Sequence, residues 1–305
     1  MINKKKKRSS SEIVDSIFRK FTKSFLSDKL FLKIRYRLKI GHKLDLSNPK
    51  SFTEKIQWLK LYNRKTEYTS LVDKVAVKEF VKKKIGEEYI IPTIDIFNNV
   101  DDIPWNSLPE KFVIKTTHGG GGGGVVICSD KTKLDLGRAK NLLSDSLKAD
   151  IYKFYKEWPY KNVPKKIIVE KLIDSGKNND LKDYKFFCFN GEPKFLKVDF
   201  GRYTEHHANY YDLNWNLLPY GETGLEPLPE HIEDKPSNFD KMIEIARKLS
   251  ADIPFLRVDL YNVEGKIYFG ELTFYPGSGM IPWTREEDDL EIGKMLVLPI
   301  LNKKI

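Results

Sequence analysis

The chain has 305 residues, of which 40% are hydrophobic and 12% aromatic, and its formal net charge is +10. This apolar content can offset the entropy of ordering the chain, so a largely disordered protein is excluded and two or three compact lobes are expected. The longest apolar run, 295–301, contains a proline and is far shorter than the roughly 20 residues of a membrane-spanning helix. No spanning helix is therefore expected.

The start of the chain and its cysteines indicate the compartment. Residues 1–11 have the basic beginning of a signal peptide, but neither an apolar core nor a cleavage site follows. The two cysteines, Cys128 and Cys188, each lie in an apolar run typical of strands. A disulfide framework and a cysteine metal site are thus not expected, and a cytoplasmic protein is predicted.

Positive charge is concentrated in a basic arm, residues 1–50, which carries fifteen Lys and Arg against four Asp and Glu. Its net charge of +11 leaves residues 51–305 at −1. Apolar residues at helical spacing predict one or two amphipathic helices in this arm, from Ile13, Ile17, Phe18, Phe21, Phe25 and Leu26 to Leu30, Phe31, Ile34 and Leu38. Three interpretations stay open: packing on the body with a solvated basic face, peripheral contact with an anionic membrane, or nucleic-acid binding. No nucleic-acid motif is recognised, so no nucleic acid is expected.

The first third of the body is predicted to be helical. Near-helical apolar spacing indicates a helix over 52–61 and a second over 71–84, which stops at Gly86. Residues 89–91 then have a β-type sequence that ends at a proline, and 111–116 alternates as a strand does.

Strands and helices then alternate to the end of the chain. Helices are predicted over 136–149 and 239–249, and residues 199–236 are predicted to be an irregular insertion. Strands are predicted at 125–128, 167–173, 184–190, 193–198, 256–261 and 266–274. This order of elements indicates an α+β fold with mainly antiparallel sheets.

The sharpest local feature is a run of six glycines, namely Gly119, Gly120, Gly121, Gly122, Gly123 and Gly124. Dinucleotide and P-loop sites need a helix directly after such a loop, whereas a strand follows here and no Gly-Lys-Ser/Thr ending occurs. The loop is therefore predicted to lie at a hairpin tip, where bare N–H groups can close over a phosphate chain. The alternative is a mobile surface loop, but six glycines are entropically costly to order, which favours a function.

Two lysines are candidates to meet those phosphates. Lys115 ends the strand that leads into the glycines, and Lys74 opens the upstream helix beside Asp73. A lysine at a strand end is usually only solvated, but next to a glycine loop it can supply a point charge to phosphate oxygens.

Carboxylates and an arginine meet near the end of the chain. Period-2 alternation places Arg257 and Asp259 on one face of a strand, and Glu271 and Thr273 on one face of the next. Hard oxygen ligands of this type suit Mg²⁺ that bridges substrate phosphates. The alternative is a cross-strand network of salt bridges. Pro276 begins a non-strand loop at the edge of this site.

Taken together, these separated segments resemble the ATP-grasp superfamily, and from about residue 48 to 299 the chain looks like the TupA-like ATP-grasp family. Each segment is weakly specific alone, but their combination and order are specific. The segments are 53–59, 73–74, 112–115 with the glycine loop, 169–171, 183–191, 211–215 and 255–279.

The resemblance implies an ATP-grasp fold in which two α/β lobes sandwich ATP, with one or two Mg²⁺ ions. Lys74 and Lys115 match the phosphate-contacting lysines, and the six glycines match the flap. Glu170 and Lys171 match the hinge that reads adenine and the nucleoside. Asp183 and Lys185 are assigned to further nucleotide contacts.

The resemblance also assigns the metal ligands and the catalytic residues. Asp259 and Glu271 match the magnesium ligands, while Arg257 and Lys115 match cations near the transferred phosphoryl group. Many relatives have asparagine where this chain has Thr273. Since a hydroxyl is a poorer Mg²⁺ ligand than an amide carbonyl, the departure puts a second metal ion in doubt.

The implied reaction is ligation through an acylphosphate, with a small molecule or glycan as substrate, because TupA-like members are associated with bacterial polysaccharide synthesis. Two alternatives stay open: a kinase of a sugar hydroxyl and a nucleotide-binding module without catalysis. A metal-dependent glycosyltransferase is not favoured because no Asp-x-Asp occurs. The predicted units are the arm at 1–50, a lobe at 51–110, a subdomain with the flap at 111–168, and a C-terminal subdomain at 169–305.

Overall fold

The computed structural model describes residues 10–119, 123–173, 181–201, 206–225 and 227–300. Within these ranges the chain forms two sheets with helices packed on them, and every pairing of neighbouring strands is antiparallel. The predicted α+β class is confirmed.

The smaller sheet, sheet A, has the spatial order β1-β4-β2-β3. Its strands are β1 (Thr93–Phe97), β2 (Phe112–Thr116), β3 (Val125–Cys128) and β4 (Ile167–Lys171). One face packs on the core through Phe112, Ile114 and Val169. Because side chains alternate along a strand, Lys115 of β2 and Glu170 of β4 share the other face.

The larger sheet, sheet B, has the order β10-β9-β5-β6-β7-β8. Its strands are β5 (Asp183–Phe189), β6 (Glu192–Phe200), β7 (His207–Asp212), β8 (Leu217–Leu218), β9 (Phe255–Val263) and β10 (Lys266–Thr273). The hairpins predicted around 191 and 265 are confirmed.

Helices surround the two sheets. They are α1 (Ser10–Thr22), α2 (Asp28–Ile40), α3 (Phe52–Tyr62), α4 (Tyr68–Val72), α5 (Ala76–Ile85), α6 (Leu136–Lys148), α7 (Ile151–Tyr155), α8 (Phe239–Ser250) and α9 (Glu286–Met295). α3 begins with a capping box in which Ser51 and Glu54 satisfy each other's backbone N–H groups. In the described part of the chain, no helix is long and apolar enough to cross a membrane.

The helix predicted over 71–84 is wrong in one respect, because it is broken into α4 and α5 at residues 73–75. The Asp73 side chain accepts the N–H of Val75 at 2.9 Å, and the Lys74 N–H donates to the Thr117 carbonyl at 3.2 Å. A side chain that bonds the nearby backbone competes with the helical ladder. The break directs Lys74 toward the base of the glycine loop.

The irregular insertion predicted over 199–236 is also wrong, since β6 extends to Phe200 and β7 and β8 add two strands to sheet B. Its aromatic residues pack on one another within the core: Tyr211 of β7 stacks on Trp215 of the following turn, with ring centroids 4.6 Å apart. The strand predicted at 167–173 ends at Lys171 and belongs to sheet A, so the predicted boundary at 168/169 falls inside β4.

The front face of sheet B, which faces α3, changes from aromatic to charged along its length. At one end Phe187 stacks on Phe195 at 4.7 Å, and Phe52 of α3 packs edge-on against Phe255 at 4.9 Å. At the other end the same face carries Lys185, whose neighbour across the strands is Asp259. The aromatic end packs sheet B into the core, and the charged end is the part of this face that could bind a ligand.

Candidate active site

A narrow cleft of about 20 Å³ lies between the second face of sheet A and β10 of sheet B. It has room for little more than one water molecule. Polar side chains from both sheets and from the α4–α5 region line it, together with the apolar residues Leu71, Val72, Val77, Ile90, Ile91, Phe269 and Leu272. Apolar walls with a few convergent charges are typical of ligand sites.

Glu170 organises the sheet A side of the cleft. Its buried carboxylate accepts from Lys115 and from Lys78, each at 2.5 Å. Burial by itself would raise the pKa of Glu170, but the two ammonium groups outweigh it and lower that pKa. The site residues Lys115 and Glu170 are thus brought together. Lys78 was missed by the sequence analysis, although its position one helical turn after Lys74 could have indicated it.

Lys74 connects the α4–α5 break to the glycine loop. Its ammonium donates to the carbonyl oxygen of Gly119. Burial lowers the pKa of Lys74, while the negative charge of Glu271 opposes the shift. Since Glu271 belongs to sheet B and Gly119 to the loop of sheet A, Lys74 lies where the two halves of the site meet.

The described ends of the glycine loop require glycine. Gly124 has φ +77, and a Cβ there would lie 2.1 Å from the Ser146 hydroxyl; a Cβ on Gly119 would lie 2.7 Å from the Thr116 hydroxyl. These hydroxyls of Thr116 and Ser146 are 2.7 Å apart and pin the loop base to α6. The loop leaves β2 and returns on β3, as the hairpin-tip prediction requires. Gly120, Gly121 and Gly122 lie outside the described residues.

The predicted metal ligands converge on one point of sheet B. Arg257 Nη2 donates to Asp259 at 2.6 Å, to Glu271 at 3.3 Å and to Thr273 at 3.2 Å. Glu271 and Asp259 are direct cross-strand partners, as are Thr273 and Arg257. The guanidinium therefore holds a single position around which all three predicted ligands direct oxygen atoms.

This donor set fits a divalent cation. Its carboxylates, Asp183, Asp259 and Glu271, outnumber the cations Arg257 and Lys185. Burial raises the pKa of Asp259 to about 6, and the charge of Asp183 adds to the shift although Arg257 and Lys185 oppose it. Across the described residues no three or more His, Cys, Asp and Glu side chains are grouped so that they alone could hold a metal ion. A bound Mg²⁺ would therefore take two carboxylates, the Thr273 hydroxyl and non-protein oxygens.

Asp183 and Lys185 lie on the same face of sheet B, beside the predicted metal ligands Asp259 and Glu271 and not beside Glu170. Lys185 contacts Asp183 at 2.5 Å and also pairs with Asp199, a buried residue of β6 that the sequence analysis missed. Asp199 in turn contacts His206 at 2.9 Å. The contacts of Lys185 and Asp199 thus continue the charged front face of sheet B from the predicted metal ligands to β6.

Lys171 is placed differently from the other predicted residues. Its side chain is exposed at the end of β4, and its N–H donates to the carbonyl of Pro92 at 3.0 Å. Tyr160 was not predicted but lines the cleft, where burial raises the pKa of its hydroxyl well above the ordinary value. Nothing in the local sequence around Tyr160 distinguishes it from a core residue.

Comparison with known families agrees with this geometry. The TupA-like ATPgrasp family model matches residues 54–297. The chain therefore belongs to the TupA-like ATP-grasp family, and the resemblance noted in its sequence is confirmed. A comparison with curated proteins gives no match.

Solved structures with a similar fold are distant in sequence. The D-alanine–D-alanine ligase of Bacillus anthracis complexed with ATP is 13% identical with a TM-score of 0.39, and the match covers 67% of this chain and 54% of that one. The corresponding Helicobacter pylori ligase is 15% identical with a TM-score of 0.43 and coverages of 81% and 70%. An ADP complex of N5-carboxyaminoimidazole ribonucleotide synthetase is 16% identical, with a TM-score of 0.41 and coverages of 72% and 50%. The chain spans about half the length of the first and third enzymes.

Proposed function

We propose that this protein is an ATP- and Mg²⁺-dependent ligase that joins a carboxylate to an amine. One observation carries the proposal: Arg257, Asp259, Glu271 and Thr273 converge on sheet B, opposite Lys74 and Lys115 at the flap of sheet A. Cations and carboxylates on opposite walls of one cleft suit a polyphosphate that carries a divalent metal.

In the proposed reaction a carboxylate oxygen of the acceptor attacks the γ-phosphorus of ATP. The bond from that phosphorus to the bridging oxygen breaks, and ADP leaves with the bond electrons. The amine of the second substrate then attacks the acyl carbon, phosphate leaves, and the amine loses a proton. ATP, acid and amine thus give ADP, phosphate and amide.

The chain's own residues have separate roles in these steps. Lys74 and Lys115 neutralise charge on the phosphate chain, and Arg257 stabilises the phosphoryl group as it moves. Asp259, Glu271 and Thr273 would hold Mg²⁺, which when bound would neutralise negative charge on the phosphate chain. The glycine flap excludes water, because an acylphosphate exposed to solvent would hydrolyse.

The narrow cleft implies that the two sheets separate to admit the nucleotide. Lys115 and Lys78 both bind Glu170 in this conformation, so Lys115 must exchange that partner for a phosphate oxygen. Glu170 retains Lys78 and stays neutralised during the exchange.

We further propose that the acceptor is a glycan precursor and that the protein works in the cytoplasm. Membership of the TupA-like family supports the first point, and the buried free thiols of Cys128 and Cys188 are compatible with the second. A kinase that phosphorylates a sugar hydroxyl would use the same cations and metal ligands, so the reaction products have to distinguish the two.

The experiment supplies γ-labelled ATP, Mg²⁺, a cytoplasmic metabolite fraction and hydroxylamine to the full chain. A ligase yields labelled free phosphate together with a hydroxamate, because hydroxylamine traps the acylphosphate. Label retained on an acceptor without hydroxamate would identify the kinase instead. Mg²⁺-dependent nucleotide binding without turnover would overturn both and leave a nucleotide-binding module without catalysis.

A further inference from the structure

The first helix of the arm is oriented opposite to what its sequence pattern suggests. An amphipathic helix that packs on a protein body normally directs its apolar stripe inward. In α1 most of the stripe points outward, since Ile13, Ile17 and Phe21 are 48%, 53% and 68% exposed. The inward side carries Asp15, which is only 3% exposed, and Phe18, whose ring lies 5.3 Å from that of Phe31 in α2.

Buried polar contacts fix this inverted orientation. Asp15 accepts from Arg35 of α2 at 2.8 Å and from Arg19 at 3.1 Å, and Arg35 also donates to the Ser278 hydroxyl at 3.3 Å. Reversing α1 would expose this ion pair to solvent and leave Arg35 buried without its carboxylate. The outward direction of the apolar stripe is therefore built into the packing of the arm.

The second helix presents a similar outer side. α2 buries Phe31, Leu32 and Tyr36 against the body, while its solvent side carries Leu30, Ile34 and Leu38 in steps of one helical turn. The turn between the helices exposes Phe25 to 88%. We call these exposed residues of α1, α2 and their turn the outer arm face: Ile13, Ile17, Phe21, Phe25, Leu30, Ile34 and Leu38.

The charges around the outer arm face have one sign. Between residues 13 and 40 the two acidic residues are Asp15, which is buried with Arg35, and Asp28, which pairs with Arg64 at 2.6 Å. The charged side chains exposed to solvent in this range are basic, namely Lys20, Lys29, Lys33 and Arg37. An apolar stripe bordered by these exposed cations complements an anionic lipid surface, where the apolar residues enter the headgroup layer and the cations meet lipid phosphates.

We propose that the outer arm face binds the surface of an anionic membrane. The proposal rests on the arm alone and does not depend on the ligase chemistry. Because α2 is tied to the loop at Ser278, which follows the metal-site strand β10, membrane binding would hold the active site in a fixed orientation to lipid-borne substrates. Attachment would be reversible and sensitive to salt, since it combines shallow burial with screened charges.

The test is co-sedimentation of the full chain with phosphatidylcholine vesicles, with and without phosphatidylglycerol, at low and high salt. We expect binding only to the anionic vesicles, weakened by salt and reduced about tenfold by the double substitution Ile17→Gln and Phe21→Gln. The matched control replaces two equally exposed apolar residues of the body, Ile232→Gln and Val297→Gln, and should bind as the unmodified chain does. Circular dichroism confirms that both variants fold.

Three results would overturn the proposal: equal recovery with neutral and anionic vesicles, no binding to either, or equal loss in the control variant. Size-exclusion chromatography tests the other possible partner of the outer arm face, a second copy of this chain. If the chain self-associates and only the Ile17→Gln and Phe21→Gln variant is monomeric, the face is an interface between two copies. Nucleotide binding is measured on the same samples, so failure of the ligase proposal is distinguishable from failure of this one.

Discussion

Two clusters of buried charge differ in how completely the protein satisfies them. The arm cluster is formed by Asp15, Arg35, Lys60, Glu157 and Ser278, so its two cations face two carboxylates. The Lys60 ammonium donates to the Ser278 carbonyl and hydroxyl, each at 2.7 Å, and to the Tyr155 carbonyl at 3.2 Å. These are the three hydrogen bonds that an ammonium can make.

The cleft cluster, formed by Asp183, Lys185, Arg257, Asp259 and Glu271, has a surplus of one sign. Its three carboxylates outnumber its two cations, and Lys185 also pairs with Asp199. Burial raises the pKa of Asp259 to about 6, and the nearby charge of Asp183 adds to the shift. Buried charges that are fully paired stabilise one conformation, whereas a surplus of one sign prepares a site for a ligand of the opposite sign. The comparison therefore assigns a structural role to the arm cluster and a binding role to the cleft cluster.

The largest expected effect comes from removing the surplus charge. Asp259→Asn and Glu271→Gln should each lower turnover on the order of 10³-fold, about 4 kcal/mol, because the Mg²⁺ ligands are lost. Unfolding in urea should be unchanged or should require more denaturant. Steady-state kinetics with Mg²⁺ titration measures the effect, and Asp240→Asn on the surface of α8 is the control. Normal turnover in either variant would reduce the cleft cluster to a structural ion pair.

The next effect tests the arm cluster in the opposite way. Lys60→Met keeps the side-chain volume but leaves the Ser278 carbonyl and the charge of Glu157 without their cation, so the free energy of unfolding should fall by about 3 kcal/mol. Nucleotide affinity measured well below the unfolding transition should change little. An unchanged free energy of unfolding in urea would contradict the structural role assigned to the arm cluster.

A smaller effect sharpens the assignment of the phosphate site. Lys115→Ala should weaken ATP binding by about 1.5 to 3 kcal/mol, since one charge-assisted contact is lost. Isothermal titration calorimetry measures the affinity, with Lys83→Ala, on the exposed side of α5, as the matched control. Equal affinities in the two variants would remove Lys115 from the phosphate site.

The smallest effect concerns the flap. Gly124→Ala should cost about 1 to 2 kcal/mol, because alanine is strained at φ +77 and its Cβ meets Ser146. Adding Ser146→Gly removes the steric part, so the double variant should recover part of the lost stability. If the double variant is no more stable than Gly124→Ala, the whole cost comes from the positive φ of residue 124 and not from contact with Ser146.

Much of the site was predictable because its residues are local in sequence. Strand alternation alone placed Arg257 with Asp259 and Glu271 with Thr273, and the hairpin between β9 and β10 made the two pairs neighbours. The position of the glycine run at a hairpin tip was predictable as well, because the two strands that flank it are consecutive in the chain and pair with each other. In contrast, the contact of Lys78 with Glu170 joins distant parts of the chain, and only the helical spacing from Lys74 hinted at it. Asp199 was missed because the predicted strand ended at 198, whereas β6 continues to Phe200.

The sequence by itself determined the α+β class, most strand and helix positions, the concentration of positive charge in residues 1–50 and the residue types of a phosphate and metal site. Only the tertiary structure decided that the helix breaks at Lys74, that 206–218 adds strands to sheet B and that α1 directs its apolar stripe to solvent. Periodicity reports which side of an element is apolar. The direction of that side depends on which buried partners, here Arg35 for Asp15 and Thr117 for Lys74, the rest of the chain supplies.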